Sequence, residues 1–163
     1  FKKLMKKIIQ WIISFATHGL VAGEFANAVE PGLVLTPPDK ASIEDDGLLT
    51  STEINHLNLY NAEIVILSAC NTATSDQLEG LNGLSSAFFY AGARSILVTY
   101  WYVDTNAAEQ ITTGIFKQMI QNLELKRSEA LRNVILKMIN DEKFSHPALW
   151  APFVFIGEGS KGL

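Results

Sequence analysis

Cysteine is almost absent from this chain of 163 residues, which contains only one. A single cysteine cannot form an internal disulfide, so we expect a reducing compartment, the cytoplasm, and a thiol that can serve for its reactivity. Apolar runs are short, and none approaches the roughly 18 residues that a membrane span requires. Basic residues do not dominate, because the formal net charge is −4. We therefore expect neither a membrane nor nucleic acid as a direct partner.

Several signatures of other chemistries are missing as well. The chain has no Gly-x-x-x-x-Gly-Lys-Ser/Thr phosphate-binding loop, and it has no Gly-x-Ser-x-Gly elbow that would present a nucleophilic serine. One cysteine and three scattered histidines argue against a zinc site. We therefore expect no metal and no other cofactor.

Two apolar stretches end in residues that can do covalent chemistry. Residues 64–67 read Ile-Val-Ile-Leu and are followed by Cys70 and a turn-prone segment, whereas residues 11–17 lead to His18 and Gly19. An apolar run closed by turn residues is typical of a strand buried on both faces. If the two strands are parallel neighbours, an imidazole and a thiol emerge at the sheet edge where ligands bind in α/β folds. A nearby imidazole can generate the thiolate that attacks.

The rest of the chain alternates between strand and helix patterns. The predicted helices cover residues 79–92, 106–123 and 128–139, and the predicted strands cover 32–36, 94–100 and 151–157. Thr50 or Ser51, followed by Glu53, is a capping signal for a short helix. Residues 1–7 have the spacing of an amphipathic helix end, although the lysine-rich start also superficially resembles a secretory signal. The alternation predicts an α/β fold: an open, mostly parallel sheet with helices on both faces.

Six separate segments resemble the CHAT domain, a family of caspase-like and separase-like modules that are often fused to tetratricopeptide repeats. They are Phe-Ala-Thr-His-Gly at 15–19, Leu-Ser-Ala-Cys-Asn-Thr at 67–72, Glu-Gly-Leu at 79–81, Phe-Phe-Tyr-Ala-Gly-Ala-Arg-Ser at 88–95, Trp-x-Val-Asp at 101–104 and His-Pro-x-x-Trp-Ala-x-Phe at 146–153. Their order is the family's order. The resemblance implies a caspase-like three-layer sandwich. It also implies that residues 1–163 form a single domain. This domain would be a C-terminal fragment of a longer chain, and the first strands would belong to the part of that chain that precedes it.

The resemblance further implies a cysteine endopeptidase of the caspase and separase type. His18 and Cys70 fall on the positions of its catalytic dyad, and the backbone N–H groups of Gly19 and Cys70 fall on its oxyanion hole. In related separases an acid in the loop after the next strand reads a basic residue before the cut, and Asp104 matches that acid. Trp101 would pack in the wall of the same pocket or in the core. The alternative for Asp104 is an N-cap of the helix that follows it.

The implied function is a regulated intracellular peptidase with a protein or peptide substrate. Regulatory domains or partner proteins, such as tetratricopeptide repeats, would control it, and bacterial defence or signalling would be its setting. Departures from the family pattern at Ser14, Tyr102 and residues 72–75 leave the dyad untouched. Two alternatives stay open, namely a non-catalytic caspase-like scaffold and a flavodoxin-like or other doubly wound domain with a structural cysteine. His56 and His146 are expected to be structural or solvated.

Overall fold

The computed structural model describes residues 12–20, 22–23, 29–40, 42, 45–67 and 78–159, with the backbone alone for 78–82. Cys70 and the helix predicted at residues 1–7 lie outside the described residues. Within them, in chain order, the strands and helices are β1 Ile12–Phe15, β2 Gly19–Leu20, β3 Gly32–Val34, β4 Leu48–Thr50, α1 Ser51–Asn55, β5 Ile64–Leu67, α2 Leu78–Tyr90, β6 Ser95–Thr99, α3 Thr105–Gln121, α4 Arg127–Ile139, a 3-10 turn Pro147–Leu149 and β7 Phe153–Gly157.

A four-stranded sheet forms the centre of the fold, in the order β1-β5-β6-β7. The first three strands are parallel, and β7 runs antiparallel along β6. All four residues of β5 are buried, as its continuous apolar sequence predicts. The expected mixed α/β architecture with a mostly parallel sheet is confirmed.

Helices cover both faces of this sheet, which makes three layers. Because side chains alternate along a strand, Val65 and Leu67 face one apolar core, which includes Phe88 of α2. Ile64 and Ile66 face the other core, to which α3 and α4 contribute. Each core is closed by one stripe of each covering helix, which explains the helical periodicity in the sequence.

A second, three-stranded antiparallel sheet of β2, β3 and β4 was not predicted as a unit. Its strands have only two or three residues each, too few to show a period of two. The strand expected over 32–36 ends at Val34, and the Leu35 N–H donates to the Gly47 carbonyl. Leu33 and Leu49 are fully buried in the core beneath α2, so this small sheet is part of the folded domain.

Helix ends follow the expected signals. At the start of α1 the Thr50 hydroxyl accepts from the Glu53 N–H, and the Glu53 carboxylate accepts from the Thr50 N–H, which confirms the capping box. Gly92 follows α2 with a φ of +106°, and a Cβ there would lie 2.7 Å from the Tyr60 ring. That position therefore requires glycine. No helix in the described part of the chain is long and apolar enough to cross a membrane.

Candidate active site

β1 and β5 are parallel neighbours, and their register brings the ends of the two strands side by side. Phe15 pairs with Leu67 at the carboxyl ends of these strands. His18 follows Phe15 by three residues, and Cys70 follows Leu67 by three residues. Both strands thus end at the same edge of the sheet. His18 and Gly19 lie within the described residues and Cys70 lies outside them.

Two hydrogen bonds to Val34 of β3 hold the segment that carries His18. The Val34 N–H donates to the His18 carbonyl at 2.9 Å, and the Thr17 hydroxyl donates to the Val34 carbonyl. The imidazole itself is exposed. The small sheet therefore fixes the backbone of His18 and leaves its side chain facing solvent.

Gly19 is the first residue of β2 and is opposite Leu33 of β3. In an antiparallel pair, hydrogen-bonded positions alternate with positions that are not. Because Val34 donates to the His18 carbonyl, the ladder bonds flank Gly19, and its N–H points away from β3. A backbone donor with that direction beside a histidine is what an oxyanion hole requires.

A cleft opens beside His18, between β1 and α3. Its volume is about 580 Å³. The lining residues come from four places, namely β1 and the segment after it, Ile66 of β5, the loop before α3 and one stripe of α3: Ser14, Ala16, Thr17, His18, Ile66, Tyr102, Val103, Thr105, Ala108, Glu109, Thr112, Thr113 and Phe116. The cleft therefore joins His18 to a helix surface that carries a carboxylate.

Asp104 is the N-cap of α3. Its Oδ1 accepts from the N–H groups of Asn106, at 2.9 Å, and Ala107, at 3.2 Å. The helix N-cap, the alternative role expected for Asp104, is thus present in the structure, and a contact with a substrate would involve Oδ2. Asp104 does not line the cleft, although its neighbours Val103 and Thr105 do.

Trp101 lies in the same loop, and its side chain is 41% exposed. The indole N–H donates to the Ala148 carbonyl at 3.1 Å, so the ring is tied to the 3-10 turn that precedes β7. It is not among the residues that line the cleft. Its contact with that turn fixes one side of the loop that carries Tyr102.

The two remaining histidines have local partners. The Nδ1 atom of His56 lies 2.7 Å from the Thr52 carbonyl, one helical turn earlier. The Nδ1 atom of His146 accepts from the Ala148 N–H at 3.2 Å and caps the 3-10 turn. Both histidines therefore have the structural roles expected of them. No group of three potential metal ligands occurs among the residues that the structure describes.

Sequence patterns did not single out two residues of this region. The sequence places Thr17 at the end of an apolar strand, but its hydroxyl bonds the His18 segment to β3. Glu109 reads as a solvated position on an amphipathic helix, yet it lines the cleft. Its spacing from Thr105, Thr112 and Thr113 places all four on one side of α3, a polar stripe that was a usable signal.

Comparison with known proteins adds to this geometry. The family model for the CHAT domain matches residues 5–158. The chain is similar to tetratricopeptide repeat protein 28 of Mus musculus, with 27% identity over 171 residues, covering 95% of this chain and 7% of the mouse protein. It is also similar to tetratricopeptide repeat protein 28 of Homo sapiens, with 30% identity over 114 residues, covering 70% of this chain and 4% of the human protein. The chain thus spans less than a tenth of either relative.

Proposed function

The chain belongs to the CHAT domain family, and we propose that it acts as a cysteine endopeptidase with His18 and Cys70 as its dyad. CHAT domains are related to caspase-like peptidases. The observation that carries the proposal is the pairing of Phe15 with Leu67. This pair ends both strands at one edge of the sheet, and in the sequence His18 and Cys70 each follow it by three residues.

In the proposed reaction, the Cys70 sulfur attacks the carbonyl carbon of the scissile peptide bond. The thiol proton passes to His18, and the imidazole then gives a proton to the departing amine as the C–N bond breaks. Water next attacks the thioester, and the sulfur leaves as the free thiol. The N–H groups of Gly19 and Cys70 would stabilise the oxyanion of each tetrahedral intermediate, where losing one donor typically costs about 100-fold or more in rate.

The remaining parts of the proposal concern substrate and setting. Trp101 and Asp104 would contact the substrate at the mouth of the cleft, because they belong to the loop that contributes Tyr102 and Val103 to its lining. The substrate would be a protein or peptide. The names of the two mammalian relatives refer to tetratricopeptide repeats, which supports control by such repeats or by partner proteins. We also propose a cytoplasmic location and a role in bacterial defence or signalling. Residues 1–163 would form a single domain within a longer chain.

The only cysteine of the chain offers a test that requires no known substrate. Alkylation by iodoacetamide, followed by intact mass, reports Cys70 alone. We expect His18→Ala to slow this alkylation at neutral pH, and we expect His18→Ala and Cys70→Ala each to abolish cleavage of a random peptide library. Loss of a proton-transferring histidine typically costs about 100- to 10,000-fold in rate.

The matched control is His56→Ala, because His56 is also exposed and lies outside the cleft. This variant should alkylate and cleave like the parent chain. Cleavage that survives Cys70→Ala or His18→Ala would contradict the dyad. A parent chain that cleaves nothing, and whose alkylation rate is the same with and without His18, would favour the non-catalytic scaffold.

A further inference from the structure

We propose that the cleft between β1 and α3 binds an uncharged aromatic side chain of the polypeptide substrate, that of phenylalanine above all. This inference deepens the proposed peptidase function and rests on it for identifying the occupant as a substrate. His18 follows the carboxyl end of β1 and lines the cleft. A side chain seated in the cleft therefore brings its own backbone next to the proposed dyad.

The cleft has room for a bulky ring. Its volume of about 580 Å³ lies within the roughly 300–1,000 Å³ of clefts that enclose a small ligand. Along α3 the lining extends from Thr105 to Phe116, which is about 16 Å at the rise of a helix. Ala16 on the β1 side and Ala108 on the α3 side have small side chains. The cleft is thus an elongated slot that can hold a ring and part of the chain attached to it.

The surface of an apolar core forms much of the lining. Ile66 is 2% exposed and Val103 is 5% exposed, and both line the cleft. Ala108 and Phe116 pack against the same core and line the cleft as well. Burying a phenylalanine side chain on such a surface typically strengthens binding by about 10- to 100-fold. An aromatic occupant therefore gains most of its affinity from leaving water.

Three hydroxyl groups of the lining have already used their protons. Thr112 donates to the Ala108 carbonyl at 2.8 Å, and Thr113 donates to the Glu109 carbonyl at 2.6 Å. The Thr17 hydroxyl donates to the Val34 carbonyl. A hydroxyl has a single proton, so none of these three residues can donate one to the substrate. A substrate side chain with carboxylate or carbonyl oxygens loses water here without regaining those hydrogen bonds, whereas a hydrocarbon ring has none to lose.

Charge has the smaller effect in this cleft. Glu109 is the acidic residue among the lining residues that the structure describes, and its side chain is exposed. An ion pair with an exposed carboxylate typically strengthens binding by less than about fivefold, which is less than burial of a ring achieves. The same carboxylate repels aspartate and glutamate. Burial of a ring therefore outweighs charge in selecting the occupant.

Two aromatic residues favour a ring over an aliphatic side chain. Helical side chains lean toward the start of their helix, which places the Phe116 ring over the turn that carries Thr112. Tyr102 lines the cleft and is 70% exposed, so its ring is accessible to a ligand. Aromatic pairs with centroids about 4.5–7 Å apart contribute about two- to tenfold in binding beyond the burial of their area. This contribution separates phenylalanine from leucine.

The test measures binding on the full chain carrying Cys70→Ala, so that no turnover occurs. The probes are the N-acetyl methylamides of phenylalanine, alanine and arginine, titrated while the backbone amide signals of Thr112 and Thr113 are followed by NMR. We expect the phenylalanine probe to bind about tenfold more tightly than the alanine probe, because the cleft is open to solvent and buries the ring only in part. We expect the arginine probe to exceed the alanine probe by less than about fivefold.

Filling the cleft from α3 should remove the preference. Ala108→Leu adds a branched side chain to the lining, and we expect the ratio between the phenylalanine and alanine probes to fall to about twofold or less, because the ring is no longer buried. Gln110→Leu is the matched control, since it adds the same side chain at an exposed position of α3 that does not line the cleft, and it should keep the preference. Phe116→Leu keeps an apolar side chain and removes the ring, so it should lower the ratio about threefold. Thermal unfolding of each variant checks that the fold persists, and Phe116→Leu decides the test if Ala108→Leu does not fold.

The outcomes separate this inference from the peptidase function. No response at those amides, a phenylalanine probe that binds no more tightly than the alanine probe, or an arginine probe that binds most tightly would overturn the subsite. A preference that survives both Ala108→Leu and Phe116→Leu would also overturn it. A chain that cleaves peptides through Cys70 with no preference for aromatic residues would retain the peptidase and lose the subsite. Aromatic binding that is lost in these two variants, in a chain that never cleaves, would retain the subsite and contradict the peptidase.

Discussion

The two ends of the central sheet both carry charged residues, but they use them in opposite ways. At the amino ends of β5 and β6, Arg127 is fully buried and lies 2.5 Å from the Glu63 carboxylate. The same guanidinium donates to the Ser95 hydroxyl at 3.2 Å and to the Glu158 carbonyl at 3.0 Å. At the carboxyl ends, His18 and Glu109 are exposed around a cleft. Polar groups that are already satisfied stabilise the fold, whereas exposed ones remain available to a ligand.

This contrast explains why charge alone does not locate a site. Arg94 also reaches Glu63, at 3.3 Å, so one carboxylate serves two guanidinium groups. That cluster ties the start of α4 to the sheet and to the segment after β7. A functional site needs the reverse arrangement, in which the backbone is held firmly and the side chain is left without a competing partner. Among the residues that the structure describes, the His18 segment has this arrangement, because its hydrogen bonds to Val34 involve the backbone and the Thr17 hydroxyl.

The largest effect should come from breaking the amino-end cluster. Arg127→Met leaves the Glu63 carboxylate partly buried and without its shortest ion pair, and loss of one partner of a buried pair typically costs about 3–5 kcal/mol. We expect a loss of unfolding free energy near the lower end of that range, since Arg94 remains, measured by urea denaturation. Arg94→Met is the control: its side chain is 45% exposed, so its loss should stay below about 1 kcal/mol. Equal losses for both variants would contradict the contrast.

The amino-end cluster also shows what sequence patterns cannot supply. Arg127 follows Lys126 at the start of an amphipathic helix, a position that reads as solvated, and its partner Glu63 lies 64 residues earlier. No feature of the sequence around either residue predicts that pairing. The strand β5 and the helices α3 and α4 were predictable within a few residues, because burial on two faces or on one stripe leaves a continuous or periodic apolar pattern.

The candidate site likewise has some features that the local sequence predicts and others that depend on residues far apart in the chain. Strand ends followed by His18 and Cys70 are local features, and the register of β1 on β5 agrees with what they suggested. The cleft is not a local feature, since it forms where α3, which packs over β5 and β6, lies beside Ser14 of β1. The hydrogen bonds of Val34 to the His18 segment could not be predicted from the sequence either, because strands of two or three residues are too short to show an alternation of apolar and polar residues.

The next largest effect should appear at the carboxyl ends of the sheet strands. It should change the reaction rate of Cys70 more than the stability of the fold. Thr17→Val keeps the shape of the side chain and removes the hydroxyl that bonds Val34. We expect about 1 kcal/mol of lost stability and about a tenfold slower reaction of Cys70 in the proposed dyad, because His18 loses one of its two anchors. Thr17→Ser retains the hydroxyl and should restore the rate. A valine variant with the parent's alkylation and cleavage rates would show that the anchor does not position His18.

Two substitutions at Asp104 can separate helix capping from charge. Asp104→Ala removes the acceptor for the N–H groups of Asn106 and Ala107, and loss of such a cap costs about 1 kcal/mol. Asp104→Asn keeps a good capping residue and removes only the charge, so its thermal stability should equal that of the parent. If Asp104 also contacts a basic substrate residue, the asparagine variant should lose preference for that residue at unchanged stability. Unchanged preference in this variant would limit Asp104 to the cap.

The smallest effect concerns Glu30, whose carboxylate lies at the start of α1 and, like that of Glu63, already has hydrogen-bond partners. Burial alone would raise the pKa of Glu30, but hydrogen bonds from the Ser51 and Thr52 hydroxyls and from the Thr52 N–H bring that pKa below its ordinary value of 4.5. A pKa lowered by folding means that the stabilisation is complete above the unfolded pKa and is lost as the pH falls through the folded pKa. Glu30→Gln should therefore cost about 1 kcal/mol at pH 7, and urea denaturation should show that difference shrinking below about pH 4.5. A difference that stays constant down to pH 3 would mean that Glu30 contributes shape and not charge, unlike the Glu63 carboxylate of the amino-end cluster.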